Sequence, residues 1–178
     1  GVPRARAIGC AEVSGGYRRG TVFGEMSCVI GEGAMGGVIG PTGSGKPSRL
    51  RAATGLLPRV SGQVRRFGKD VRERPAEKRA SLIGVVPQET VTPMAYTVEE
   101  IVMMGRTHAL SRWNGPGEED NKRVEQAMIY TDVADMRSQP FPELSGGERQ
   151  RAIIAMVLAQ QPRIILMDEA TSQLDINH

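Results

Sequence analysis

The stretch Leu144-Ser145-Gly146-Gly147-Glu148-Arg149-Gln150-Arg151 sets a polar pair of glycines just ahead of an apolar run. Ser145 followed three residues later by Glu148 is a capping box, in which each side chain bonds the other residue's backbone N–H. The pattern predicts a helix that starts after Ser145 with its first amides pointing outward, and such a start attracts phosphate. An ordinary capped surface helix is the alternative, but Gly146 and Gly147 are poor helix formers and need a reason to be there.

A short apolar run, Ile164-Ile165-Leu166-Met167, ends in two carboxylates, Asp168 and Glu169. Its composition predicts a buried strand. Ligands of open parallel sheets bind beyond the carboxyl ends of the strands, so the acid pair is expected where a ligand binds. A strand end followed by a solvated turn is the alternative.

A glycine-rich loop follows the apolar pair Val38-Ile39 and precedes a helix expected to end near Gly55. Glycines let backbone amides close around phosphates, and the lysine supplies a mobile positive charge for the terminal oxygens. The candidate phosphate-binding residues are Gly40, Pro41, Thr42, Gly43, Ser44, Gly45 and Lys46.

Taken in chain order, the glycine-rich loop, the Leu144–Arg151 stretch and the strand that ends in Asp168 and Glu169 resemble the P-loop, the signature motif and the Walker B motif of ATP-binding cassette (ABC) ATPases. The resemblance implies that the signature residues Leu144 to Glu148 face ATP held by the opposite subunit, so that the enzyme works as a dimer. It implies that Asp168 holds Mg²⁺ through water and that Glu169 is the general base for the attacking water. The segment Ser172-Gln173-Leu174-Asp175 resembles the D-loop of the family, and the resemblance makes Ser172 and Asp175 the candidate site residues of this loop.

The sequence departs from the P-loop pattern directly after Lys46. The family has Ser or Thr there as a magnesium ligand, whereas this chain has Pro47, which lacks both a hydroxyl and an amide hydrogen. Proline also biases Lys46 away from helical dihedrals, which is expected to misplace its ammonium group. Ser48 matches the next family position, which touches the first phosphates, and Arg49 stands where the family has an apolar residue.

Two smaller elements agree with the resemblance. Val85-Val86-Pro87-Gln88 is an apolar strand that ends in an amide, similar to the Q-loop, whose glutamine contacts magnesium and links the site to the membrane partner. Tyr17 precedes the P-loop, where the family places an aromatic residue that stacks on adenine, an interaction worth roughly 1 to 3 kcal/mol. Taken alone, Tyr17 would be interpreted as a surface tyrosine, and the order of the motifs favours the role in stacking.

Composition restricts the function classes. A chain of 178 residues buries one substantial core, and a net charge of +3 is too small to indicate nucleic-acid binding. No apolar run approaches the roughly 18 residues of a membrane span, so the chain is expected to be soluble and any pore to be another polypeptide. Cys10 and Cys28 lack metal-ligand spacing and are expected to be reduced thiols. Arg65 and Arg66 are expected to lie on a solvated surface.

The predicted fold class is α/β: a P-loop NTPase core with a mixed, mainly parallel sheet, an antiparallel β layer and an inserted α-helical subdomain. We expect one ABC ATPase domain over 1–178, with the β layer and core in 1–96, the helical subdomain in 97–143, and the signature helix, Walker B and D-loop in 144–178. Val64 and the strand at 82–86 are assigned to the core. Thr97 with Glu100 forms a second capping box, and Glu118, Glu119 and Asp120 begin another helix.

The sequence segments 97–106, 111–120 and 174–178 resemble those of the ATPase subunits of importers for iron-siderophore, haem or cobalamin. The resemblance implies ATP and Mg²⁺ as cofactors, and a membrane permease and a second ATPase subunit, as a homodimer, as partners. An extracytoplasmic solute-binding protein is implied indirectly, no nucleic acid is implied, and the location is cytoplasmic, peripheral on the inner face of the cell membrane.

By the family pattern the chain is expected to be C-terminally truncated, because the switch histidine of the family lies beyond the D-loop and His178 belongs to the segment Asp175-Ile176-Asn177-His178. A natural truncation and a fragment are both open. With this histidine absent and Pro47 in the P-loop, the chain as it stands is expected to be nearly inactive. The alternatives to an importer ATPase are a non-hydrolysing, degenerate nucleotide-binding protein and an ABC ATPase that acts on DNA; the long insertions typical of the latter are not visible.

Overall fold

The computed structural model describes residues 6–17, 20–34, 36–38, 41, 43–57, 59–73, 82–87, 96–107 and 115–167. The chain divides into two compact units, residues 1–80 and residues 81–178. The described residues contain both β-strands and α-helices, in agreement with the predicted α/β class.

The first unit contains an antiparallel sheet in the order β2-β1-β3-β4. Its strands are β1 (Arg6–Tyr17), β2 (Gly20–Gly31), β3 (Arg59–Arg66) and β4 (Lys69–Asp70). Helix α1 (Lys46–Ala53) contacts β1 and β2, and a 3-10 turn covers Val71–Glu73. The helix ends as predicted, because Thr54 caps it and Gly55 adopts the left-handed φ of 70° that closes a helix.

Two expectations for β3 are wrong. Val64 lies opposite Cys10 of β1 and therefore belongs to the antiparallel layer rather than to the nucleotide core. The polar residues within β3 agree with the observed placement, since parallel core strands are apolar along their whole length. Arg66 is 1% exposed rather than solvated, because it lies opposite Ile8 and so shares that residue's buried face.

The second unit contains a parallel pair, β5 (Ile83–Val86) and β6 (Ile164–Met167), in which Ile83 lies opposite Ile164. Its helices are α2 (Val98–Met104), α3 (Glu118–Tyr130) and α4 (Gly146–Ala159), with 3-10 turns at Ala134–Met136 and Phe141–Glu143. Helix α4 contacts α2, α3 and β5, which makes it central to this unit.

The predicted helix starts of the second unit are confirmed. The main-chain N–H of Thr97 donates to the Glu100 carboxylate over 2.8 Å, and Thr97 Oγ1 accepts from the Glu100 N–H over 3.3 Å. Helix α3 opens with Glu118, Glu119 and Asp120. The helices bury a common apolar core that includes Val98, Met128, Phe141 and Ile153.

The predicted strand before the acid pair is confirmed, but its predicted burial is wrong. The exposed fractions of Ile165 and Met167 are 38% and 47%. The exposed residues alternate with half-buried ones along β6, so one face of the strand is less covered than the other by the described residues.

Candidate functional site

The described part of the glycine-rich loop is a tight turn that only glycine accommodates comfortably. Gly43 and Gly45 have φ angles of 83° and 76°, in the left-handed region that favours glycine. A Cβ atom on Gly45 would lie 3.3 Å from the carbonyl oxygen of Val22, whereas one on Gly43 would meet nothing within 4 Å. The main-chain N–H of Ser44 donates to the carbonyl oxygen of Pro41 over 3.2 Å and closes the turn.

Lys46 keeps its charged group over this turn. Its Nζ donates a hydrogen bond to the Pro41 carbonyl oxygen at 3.1 Å. The expectation that Pro47 displaces Lys46 from helical geometry is wrong, because Lys46 is the first residue of α1. Proline is tolerated there since a first-turn N–H takes no part in the helix ladder. The first ladder bond runs from the Arg49 N–H to the Gly45 carbonyl oxygen over 2.9 Å.

The loop fits a phosphate group better than it fits a metal ion. The helix start and the Lys46 ammonium both favour an anion. Pro47 offers no oxygen ligand in its side chain, and Ser48, the next hydroxyl, is 8% exposed. Within the described ranges, no group of three or more His, Cys, Asp or Glu side chains could hold a metal ion.

The structure gives a physical reason for Arg49. The guanidinium carbon of Arg49 lies 5.8 Å from the ring centroid of Phe23, within cation–π range. Phe23 lies in β2 and is 4% exposed, so the arginine packs its charge against the ring of a strand residue. The amino-acid sequence alone does not reveal this partner, because no local pattern links β2 to α1.

The signature stretch forms the predicted helix start. The main-chain N–H of Ser145 donates to the Glu148 carboxylate over 2.7 Å, and Ser145 Oγ accepts from the Glu148 N–H over 3.3 Å. Hydrogen bonds from the Ser145 hydroxyl and backbone lower the pKa of Glu148. Gly146 and Gly147 are exposed at the first positions of α4. Leu144, 3% exposed, anchors the stretch in the apolar core.

Helix α4 is held at its other end by an arginine that the sequence analysis missed. Arg106 is 4% exposed, its Nε lies 2.8 Å from Asp120 Oδ1, and its Nη1 donates to the Ala159 carbonyl oxygen over 3.0 Å. These bonds connect the end of α2, the start of α3 and the end of α4. The only sequence signal is an arginine at the end of an apolar helical run.

The remaining candidate residues fall outside what the structure describes. Tyr17 ends β1 opposite Gly20, and only its backbone belongs to the described part. The candidates that lie wholly outside the described residues are Gly40, Thr42, Gln88, Asp168, Glu169, Ser172 and Asp175. Within the first unit the structure therefore brings together Pro41 and Gly43 to Ser48, and within the second unit it brings together Leu144 to Glu148.

No helix within the described residues combines the length and the apolar character needed to cross a membrane.

Comparisons with known proteins agree with the motifs. A sequence model of the family described as "ABC transporter" matches residues 23–172. The chain is 38% identical over 166 residues to the ferric enterobactin transport ATP-binding protein FepC of Escherichia coli, covering 92% of this chain and 60% of FepC. It is 36% identical over 157 residues to the cobalamin import ATP-binding protein BtuD of Halobacterium salinarum, covering 88% and 39%.

A solved structure confirms the fold. CbiO1 of Clostridium perfringens, part of the ABC transporter complex cbiONQ, superimposes with a TM-score of 0.83 at 25% identity, covering 97% of this chain and 68% of that one. The chain thus spans 60% and 39% of the lengths of the two sequence relatives. The glycine-rich loop, the signature stretch and the acid pair all lie inside the matched range, and the chain belongs to the ABC transporter family.

Proposed function

We propose that this chain is the ATP-binding and ATP-hydrolysing subunit of an ABC importer, and that it powers uptake of a metal chelate or similar solute through a separate permease. The observation that carries the proposal is the turn from Pro41 to Lys46, whose left-handed glycines and overlying ammonium group form a phosphate cradle at the start of α1. Adenine would stack on Tyr17, and Ser48 would contact the first phosphates.

Hydrolysis would depend on residues beyond the cradle. Glu169 would accept a proton from the attacking water, and Asp168 and Gln88 would hold Mg²⁺, partly through water. The ion, when bound, offsets negative charge that develops on the phosphate oxygens. Pro47 removes one further ligand, so we expect the contribution of the metal to be smaller here than in a P-loop with Ser or Thr at this position.

The signature residues would act on the ATP of a second subunit. The Ser145–Glu148 capping box leaves the amides of Gly146 and Gly147 at an exposed helix start, which is suited to a terminal phosphate. A site completed in this way requires two copies of the chain, and we therefore include a homodimer in the proposal.

The importer assignment rests on the relatives. FepC is named for ferric enterobactin transport and BtuD for cobalamin import, which supports a metal chelate as the solute class. The same reasoning gives the partners: a permease in the membrane, contacted from its cytoplasmic face, and a solute-binding protein outside. Neighbouring reading frames test this step. Genes for a permease and a binding protein would support it, and genes for a DNA-processing system in their place would contradict it.

A second candidate function, nucleotide binding without hydrolysis, is favoured by Pro47 alone. Phosphate release by the chain, by the Glu169→Gln variant and by the Glu25→Gln variant separates the two candidates, since Glu25 is an exposed strand residue that loses the same charge. Because Pro47 removes a magnesium ligand, the proposal predicts only slow hydrolysis, which Glu169→Gln abolishes and Glu25→Gln preserves. Hydrolysis that does not depend on Glu169 would overturn the catalytic assignment, and ATP binding with no hydrolysis would establish the second candidate.

A further inference from the structure

Two cysteines lie directly opposite each other in the antiparallel sheet. Cys10 of β1 is the register partner of Cys28 of β2. Opposite residues project from the same face of a sheet, with Cα atoms about 4.5 or 5.5 Å apart according to the hydrogen-bonding position. Both separations lie inside the range of about 4.4 to 6.8 Å that a disulfide spans. The folded backbone therefore already meets the separation that a cross-strand disulfide needs.

The register of the pair is fixed on both sides. Towards one end of the strands, Ile8 lies opposite Ile30. Towards the other end, the Glu12 N–H donates to Ser27 Oγ over 3.0 Å, at a bulge where Glu12 has a φ of 51°. A one-residue slip would turn the buried Ile8 out of the core, so the two thiols stay opposed while the sheet is intact.

The two thiols differ in exposure. Both are free, Cys10 being buried and Cys28 half-buried. Burial, the charge of Cys28 and a hydrogen bond with Cys28 together raise the pKa of Cys10 to about 12. A thiolate is the nucleophile in disulfide exchange. Cys28 is therefore the thiol that a small reagent meets first, and Cys10 is the resolving thiol.

We propose that Cys10 and Cys28 are a redox modification site, at which a low-molecular-weight disulfide oxidises the pair to a reversible cross-strand disulfide. The Cys28 thiolate attacks one sulfur of the small disulfide, forms a mixed disulfide and releases one small thiolate. Cys10 then gives up its proton, its sulfur attacks Cys28 Sγ, and the second small thiolate leaves. Two electrons and two protons pass from the cysteines to the small disulfide, which becomes two small thiols.

The first step prepares the second. Once Cys28 is held in a mixed disulfide, the register of β1 and β2 keeps Cys10 directly opposite the sulfur that it must attack. This chemistry uses none of the residues assigned to nucleotide binding. The test of the redox site is therefore independent of the test of the ATPase proposal.

Glutathione redox buffers test the site. The folded chain is equilibrated at a series of oxidised-to-reduced ratios, quenched with acid, and measured by intact mass and peptide mapping, beside the same chain in urea. We expect loss of the mass of two hydrogen atoms, a Cys10–Cys28 linked peptide, and half-oxidation at a ratio at least tenfold more reducing than in urea, because folding holds the thiols together. Equal midpoints in the two states, or links between chains only, would overturn the proposal.

Two matched variants test the order of attack. In Cys10→Ser, Cys28 should accumulate as its mixed disulfide with glutathione, because no resolving thiol remains. In Cys28→Ser, the buried Cys10 should stay unmodified under the same conditions. A glutathione adduct on Cys10 combined with an unmodified Cys28 would contradict the assigned roles.

Discussion

Ser145 and Glu148 exchange two hydrogen bonds, one of 2.7 Å from the Ser145 N–H to the Glu148 carboxylate and one of 3.3 Å from the Glu148 N–H to Ser145 Oγ. This reciprocal pair fixes the point at which α4 begins, and with it the direction of the exposed Gly146 and Gly147 amides. Because α4 contacts α2, α3 and β5, the local cap also determines where the second unit presents its helix start.

Loss of this cap should lower stability. Ser145→Ala removes the side-chain acceptor and is expected to cost about 1 kcal/mol in the free energy of unfolding. Urea denaturation monitored by circular dichroism measures the change. Ser145→Asn, which keeps a capping oxygen, should stay close to the unmodified chain. A similar loss in both variants would show that the hydrogen bond is not the cause.

Acid should destabilise the second unit through its capped helix starts. Hydrogen bonds from the Thr97 backbone and hydroxyl lower the pKa of Glu100 below its ordinary value of 4.5. Hydrogen bonds from Gly117 and Arg106 lower that of Asp120. A lowered pKa in the folded state gives stability that is complete above the unfolded pKa and is lost as pH falls through the folded one.

The predicted loss of stability at low pH can be tested with Glu100→Gln, because the glutamine side chain cannot ionise. Chemical denaturation at several pH values below about 5 should show a shallower loss of stability in the variant than in the unmodified chain. Identical pH profiles would show that Glu100 contributes nothing to the acid sensitivity.

A single methyl group should disrupt the contact between α2 and α4. A Cβ atom on Gly105, which follows α2 with a φ of −61°, would overlap the carbonyl oxygen of Met156 in α4. We therefore expect Gly105→Ala to destabilise by roughly 1 to 3 kcal/mol through overpacking. Gly147→Ala is the matched control, since a Cβ there meets nothing within 4 Å. Equal stability of the two variants would contradict the close packing.

Sequence reasoning succeeded where the signal is local. Each of three features depends on residues only a few positions apart: the capping box at Thr97, the capping box at Ser145 and the end of α1 near Gly55. The structure confirms all three. Sequence reasoning failed where a residue's environment depends on distant partners. Val64 and Arg66 were misplaced because β3 pairs with β1, more than forty positions away in the chain.

The candidate site shows the same division. The glycine turn could be predicted because its left-handed geometry requires particular residues at particular positions. The Arg49–Phe23 contact and the bonds of Arg106 to Asp120 and Ala159 could not, since they join separate elements and carry no periodic or motif signal.

Restoring a hydroxyl at position 47 should restore dependence on the metal. Pro47→Ser supplies the missing side-chain oxygen and the missing N–H together. ATP titrations with and without Mg²⁺ should show a small effect of magnesium on the unmodified chain and a larger one on the variant. A strong magnesium effect in the unmodified chain would show that another group, such as Ser48, already acts as the ligand.

Magnesium-free ATP titration of the unmodified chain, Lys46→Ala and Lys69→Ala tests whether the turn ahead of α1 binds the phosphates of ATP. Lys69 is an exposed residue of β4 and controls for the loss of one positive charge. We expect Lys46→Ala to weaken binding at least tenfold, about 1.4 kcal/mol, and Lys69→Ala to leave it unchanged. Equal ATP affinity of all three proteins would show that this turn does not bind the phosphates.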